Sequence, residues 1–133
     1  MSRYLAAGVV LAFVVLGPLA CQNAGPPPVA AGLLRGGVLA GPTCPVVSEP
    51  ADPACADRPV AGATLVIETD GGDEVARLTS DADGRFEIAL LPGRYTVLPQ
   101  PVAGLLGTAP SQQFVVEAKA DTEIVVLYDT GIR

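Results

Sequence analysis

The chain has 133 residues, of which 50% are hydrophobic and 17% charged, with a formal net charge of −6 and no histidine. That much apolar content excludes a largely disordered chain, and the acidic balance excludes the Lys/Arg clusters that nucleic acids and anionic lipid surfaces demand. Without histidine, zinc peptidase chemistry lacks a ligand and a serine such as Ser80 or Ser111 lacks its usual general base, so the sequence predicts no enzyme and no cofactor.

Arg3 is the only charge before an apolar run from Gly8 to Ala20. The run has the length of a signal-peptide core and falls short of the ~20 apolar residues of a spanning helix. Gly17-Pro18-Leu19-Ala20-Cys21 resembles the bacterial lipobox, in which apolar and small residues precede a cysteine that receives diacylglycerol before cleavage. The resemblance implies a signal peptide over 1–20, lipidation of Cys21, and a membrane partner reached through that lipid. An ordinary signal peptide cut nearby and an uncleaved anchor are the competing readings. Residues 21–33, rich in Pro, Gly and Ala, read as a flexible tether.

From 34 to 133 the pattern is one of short apolar-alternating segments separated by turn residues, with no sustained helical period. A glycine-rich strand is expected over Arg35–Ala40. An irregular excursion over 41–59, dense in Pro and Asp, carries Cys44 and Cys55. With Cys21 lipidated, these two remain as a pair, and an oxidising compartment favours a structural disulfide between them. The rivals are a metal site, which lacks further ligands, and a redox centre, which wants a Cys-x-x-Cys spacing.

Ala63–Thr69 is a strand with Ala63, Leu65 and Ile67 on one face, and Asp70-Gly71-Gly72-Asp73 turns it into a partner over Glu74–Ser80. Asp81-Ala82-Asp83-Gly84 turns again into Arg85–Leu90, with Phe86, Ile88 and Leu90 inward. Arg94–Leu98, Gln112–Glu117 and Thr122–Tyr128 complete seven strands, mainly antiparallel. The expected architecture is an all-β, two-layer sandwich.

Two loops are candidate sites. Asp81-x-Asp83-Gly84 is similar to half of a calcium loop, but Pro92 stands where the twelfth position needs a bidentate Glu. Asp81 and Asp83 are therefore weak metal candidates, and a turn capped by its own Asp side chains is preferred. The connector 101–110 is apolar where connectors are normally polar. Val102, Leu105 and Leu106 either plug the end of the sandwich or form an exposed interaction patch.

Pro59-Val60-Ala61-Gly62-Ala63-Thr64-Leu65-Val66, then Thr79-Ser80-Asp81-Ala82-Asp83-Gly84-Arg85-Phe86, then Leu91-Pro92-Gly93-Arg94-Tyr95 resemble the carboxypeptidase regulatory-like domains. The resemblance implies a prealbumin/transthyretin-like β-sandwich, with Gly62 and Gly84 shaping turns and Phe86 and Tyr95 in the core. Pilin-like sandwiches form internal isopeptide bonds, but the only lysine, Lys119, falls in a predicted turn and the only asparagine, Asn23, in the tether. The expected protein is a monomeric, non-catalytic lipoprotein of the bacterial cell envelope, with a structural or protein-binding role and an envelope protein or glycan as partner. The alternative is a carbohydrate- or calcium-binding accessory module.

Overall fold

The computed structural model describes residues 25–46 and 48–133. Residues 1–20 and Cys21 lie outside the described residues. Eight strands follow in chain order: β1 (Gly32–Gly41), β2 (Arg58–Pro59), β3 (Thr64–Thr69), β4 (Glu74–Thr79), β5 (Arg85–Leu90), β6 (Gly93–Pro99), β7 (Gln112–Val116) and β8 (Asp121–Asp129). They form two four-stranded sheets. One is antiparallel throughout, in the order β4-β3-β6-β7, with the chain crossing to the other sheet through β5 between β4 and β6. The other is centred on β1, which pairs in parallel with β8 over its length and antiparallel with β5 and then β2.

The two-layer, mainly antiparallel sandwich expected from the alternation is what forms. The strand beyond the expected seven is β2, a two-residue piece of the 41–59 excursion captured by Leu39 and Ala40. Strand β1 also begins at Gly32, so the tether over 21–33 ends earlier than its composition suggests. The reason is a backbone anchor that composition does not display. Lys119 N–H donates to the Ala31 carbonyl at 3.0 Å, Leu33 N–H donates to Ala120 at 2.9 Å, and a side chain at Gly32 would strike the Glu117 carbonyl.

Strand alternation puts Leu34 and Val38 of β1, Leu65 and Ile67 of β3, Val97 of β6, Val116 of β7, and Val126 and Tyr128 of β8 between the sheets, all essentially inaccessible to solvent. Phe86 and Leu90 enter from β5, while Ile88 is half-buried at the margin. Tyr95 and Phe114, cross-strand partners, stack with ring centroids 5.7 Å apart and an interplanar angle of 23°. Val66 points to the other face of its strand and is nonetheless only 5% exposed. Its cross-strand neighbours there are Arg77 and Leu98, and a long arginine stem can cover apolar surface while its guanidinium stays in water.

Gly84 sits where β1 changes partner from β5 to β2. Its φ is +71°, and an added Cβ would lie 2.6 Å from the Val38 carbonyl and 3.0 Å from Pro59 Cβ. Its own carbonyl accepts from Val38 N–H at 2.6 Å. Both the left-handed backbone and the close approach require glycine there. The turn chemistry read from the sequence therefore also fixes the junction in the sheet.

Candidate interaction face and the sites expected from sequence

The Asp81 carboxylate is occupied by its own turn. Oδ1 accepts from Asp83 N–H and Arg85 N–H, both at 2.8 Å. Asp83 is exposed beside it, and among the described residues no group of three or more His, Cys, Asp or Glu side chains gathers to hold a metal ion. The geometry is that of an Asx turn that carries the chain from β4 in one sheet to β5 in the other.

Cys44 and Cys55 form a disulfide with Cα atoms 5.3 Å apart. It closes the excursion above a single turn of 3-10 helix, Pro53–Cys55, whose first turn is capped by Asp52 Oδ1 accepting from Ala54 N–H at 2.9 Å. Thr130 ties the far end of β8 to this excursion, its hydroxyl donating to the Pro42 carbonyl.

The apolar connector divides its roles. Val102 and Leu105 are partly buried against the core, whereas Leu106 is 56% exposed. Leu106 N–H still donates to the Asp129 carbonyl at 2.8 Å, which pins the connector to the end of β8. The connector is thus a plug through Val102 and Leu105, while Leu106 remains at the surface. Ser80, 5% exposed, donates to the Val60 carbonyl and accepts from Ala63 N–H. Its hydroxyl is committed to the backbone on both sides. Lys119 lies exposed in the β7–β8 turn, with φ +58°, away from the core an isopeptide bond would need.

A concavity of about 790 Å³ lies on the outer face of the β8–β1–β5 sheet. Register and alternation lay this face out in rows across the three strands. Arg35 stands between Glu87 and Glu123, Gly37 between Arg85 and Val125, and Leu39 between Pro59 and Leu127. Arg35 is ion-paired to Asp121, while Arg85 makes no ion pair among the described residues. One end of the face is therefore charged and the other apolar, with Val125 and Leu127 about half exposed. The sequence alone gave no sign of this face, because it exists only once β8 is laid parallel to β1.

The profile of the carboxypeptidase regulatory-like domain family matches residues 52–127. The chain belongs to this family. Its fold is shared with solved structures at low identity. One is the TIE protein of Bacillus anthracis, at 18% identity and TM-score 0.59 over 75% of this chain and 17% of that one. A second is a minor pilin of Streptococcus agalactiae, at 14% identity and TM-score 0.58 over 75% and 44%. A third is a D295N mutant of the SpaA shaft pilin of Lactobacillus rhamnosus GG, at 13% and 0.57 over 75% and 50%. This carboxypeptidase regulatory-like chain thus spans half or less of each of those proteins. No curated protein matches its sequence. At these identities the likeness establishes the β-sandwich fold alone.

Proposed function

We propose that this chain is an exported lipoprotein, held on a bacterial membrane through Cys21, whose sandwich serves as a monomeric, non-catalytic structural or protein-binding module at the cell envelope. The observation that carries the reading is the Cys44–Cys55 bond. It takes two of the three cysteines, belongs to an oxidising compartment, and leaves Cys21 to accept lipid. More than one acyl chain on Cys21 holds a protein firmly without a spanning helix. Between Cys21 and β1, an extended tether of Pro, Gly and Ala would let the domain stand up to about 30 Å from the bilayer.

Two further features support a monomer without catalysis. One carbonyl on each of the edge strands β7 and β8 is taken by a side chain of the other: Gln112 Nε2 donates to the Val125 carbonyl at 2.7 Å and Thr122 Oγ1 to the Val115 carbonyl at 2.9 Å. Carbonyls so occupied are less available to a strand of another copy. Ser80, buried in backbone hydrogen bonds, offers no nucleophile.

The test is expression of the full chain in a bacterial host fed radiolabelled palmitate, beside a Cys21→Ser variant. The wild-type chain incorporates label and partitions into detergent, and the variant does neither. A variant that stays membrane-bound and uncleaved would replace the lipid by an anchor helix. A wild-type chain released unlabelled would mean ordinary secretion.

A further inference from the structure

We infer that the sandwich has a defined polarity on the membrane: the end bearing the β7–β8 turn faces the bilayer, and the end bearing the disulfide excursion is turned away from it. The inference deepens the function proposed above and rests on its placing of the membrane attachment ahead of the tether.

Register sorts the connections to two ends. Gly32, at the start of β1, pairs with Leu90 and Leu33 with Asp121, while Gly93 pairs with Val116 and Thr69 with Tyr95. The turns 70–73, 91–92 and 117–120 therefore share the end at which the tether arrives. At the other end Gly41 pairs with Asp129, Thr64 with Thr79, and Val97 with Gln112. That end gathers the excursion 41–59, the Asp81–Gly84 turn, the connector 100–111 and residues 130–133. Strand β1 joins the two ends with its 10 residues, a span of about 30 Å at the usual rise of a strand.

A strap holds the tether at its end. Lys119 N–H donates to the Ala31 carbonyl and Leu33 N–H to the Ala120 carbonyl, so the chain is seized on both sides of Gly32. Gly32 itself lies so close to Val116 and the Glu117 carbonyl that no side chain fits there. Lys119 completes the turn with a left-handed backbone, φ +58°. Residues 25–29 are exposed and belong to no strand, so the pivot of the domain is at Ala31.

Neither sheet face competes with this strap for the bilayer. On one, Arg77 is paired with Glu74 and Arg94 with Asp70. On the other, Arg35 is paired with Asp121, and Arg85 shares the cleft with Glu87 and Glu123. Anionic lipid is drawn by an excess of Lys and Arg, which neither face has. The domain therefore hangs from its strap and does not lie on a sheet.

The outward end is fastened as one surface. Thr130 N–H donates to the Gly41 carbonyl at 3.1 Å, its hydroxyl to the Pro42 carbonyl, and Leu106 N–H to the Asp129 carbonyl. Excursion, connector and the end of β8 are thereby held together, with Val46 and Leu106 exposed upon them. A partner that comes from beyond the membrane meets this end first.

The experiment couples the isotope-labelled full chain through the Cys21 thiol to a maleimide-bearing lipid in nanodiscs of phosphatidylethanolamine and phosphatidylglycerol that carry a gadolinium-chelating lipid. Amide relaxation enhancement is expected to be severalfold greater at Leu91 and Lys119 than at Val46 and Leu106. The same gradient is expected in nanodiscs of phosphatidylcholine, since it comes from the strap and not from lipid charge. The amides of Leu33 and Lys119 should exchange with solvent at least about tenfold more slowly than that of Val29. The inference is overturned by equal enhancement at both ends, by a maximum at Val46 and Leu106, or by enhancement that follows one sheet face from Arg85 to Val125. A gradient present only with phosphatidylglycerol, or fast exchange at Leu33 and Lys119, overturns it as well. Coupling supplies the attachment whether or not cells lipidate Cys21, and an uncleaved anchor would also enter through the tether. The polarity and the lipid claim therefore fail separately.

Discussion

Ser80 Oγ donates a 2.6 Å hydrogen bond to the Val60 carbonyl although the two lie 20 residues apart. The same oxygen accepts Ala63 N–H at 2.9 Å, and the Ser80 backbone pairs with Ala63 and Gly62. One small buried side chain thus satisfies the Val60 carbonyl and the Ala63 amide at the entry into β3. Replacing Ser80 by Ala leaves a buried carbonyl and amide unpaired. The expected loss is about 1–3 kcal/mol of stability, read as a lower urea midpoint at unchanged slope. An unchanged midpoint would mean that water replaces the hydroxyl without cost.

The disulfide closes a loop with a sequence separation of 11 residues. By the chain-entropy account its removal through Cys44→Ser with Cys55→Ser costs about 2–3 kcal/mol. The excursion touches the sheets mainly through Leu39 and Ala40, so the loss should be local. Hydrogen exchange should speed up at Arg58 and Leu39 while β3 and β6 stay protected. Global loss of protection would show that the excursion is part of the folding core.

Leu105 and Leu106 are adjacent but differ in burial, so single substitutions separate what a double substitution merges. Leu105→Ser should cost about 1–2 kcal/mol, since it removes half-buried apolar surface from the core margin. Leu106→Ser should stay within about 0.5 kcal/mol, because the side chain is exposed and its backbone bond to Asp129 survives. Thermal melts of the two variants decide this, and equal shifts would contradict the divided role.

Tyr128 is buried, and its hydroxyl donates to the Gln100 carbonyl at 2.6 Å. Burial pushes its phenol above the ordinary value, so the folded chain holds this proton more tightly than the unfolded one. Its contribution to stability is therefore complete below the unfolded value of about 10 and is lost as pH rises through the higher folded value. Melts across the alkaline range should show Tm falling beyond that point. Tyr128→Phe should begin lower, by the lost hydrogen bond of about 1 kcal/mol, but fall less steeply with pH.

Strand content was legible wherever one face is dry and the other wet. The alternation of Arg85–Leu90 predicts Phe86 and Leu90 inside, and both are buried. The turn Asp81–Gly84 was legible because Asp side chains and a left-handed glycine carry their geometry locally. Val66 was not, since its burial depends on neighbours from β4 and β6. Nor was the start of β1, because Ala31 and Leu33 are anchored by residues of the β7–β8 turn.

The sequence by itself determined what depends on residue type and near neighbours: an all-β chain, its hairpin turns, the cysteine arithmetic that singles out Cys21, and a composition without histidine. Only the tertiary structure decided the parallel pairing of β1 with β8, the division between Leu105 and Leu106, and the bare floor at Gly37. A parallel pair joins segments distant in the chain, and no local propensity encodes which distant strand will close that loop. The face around Gly37 is made by that pairing, with Arg85 arriving from one side and Val125 from the other.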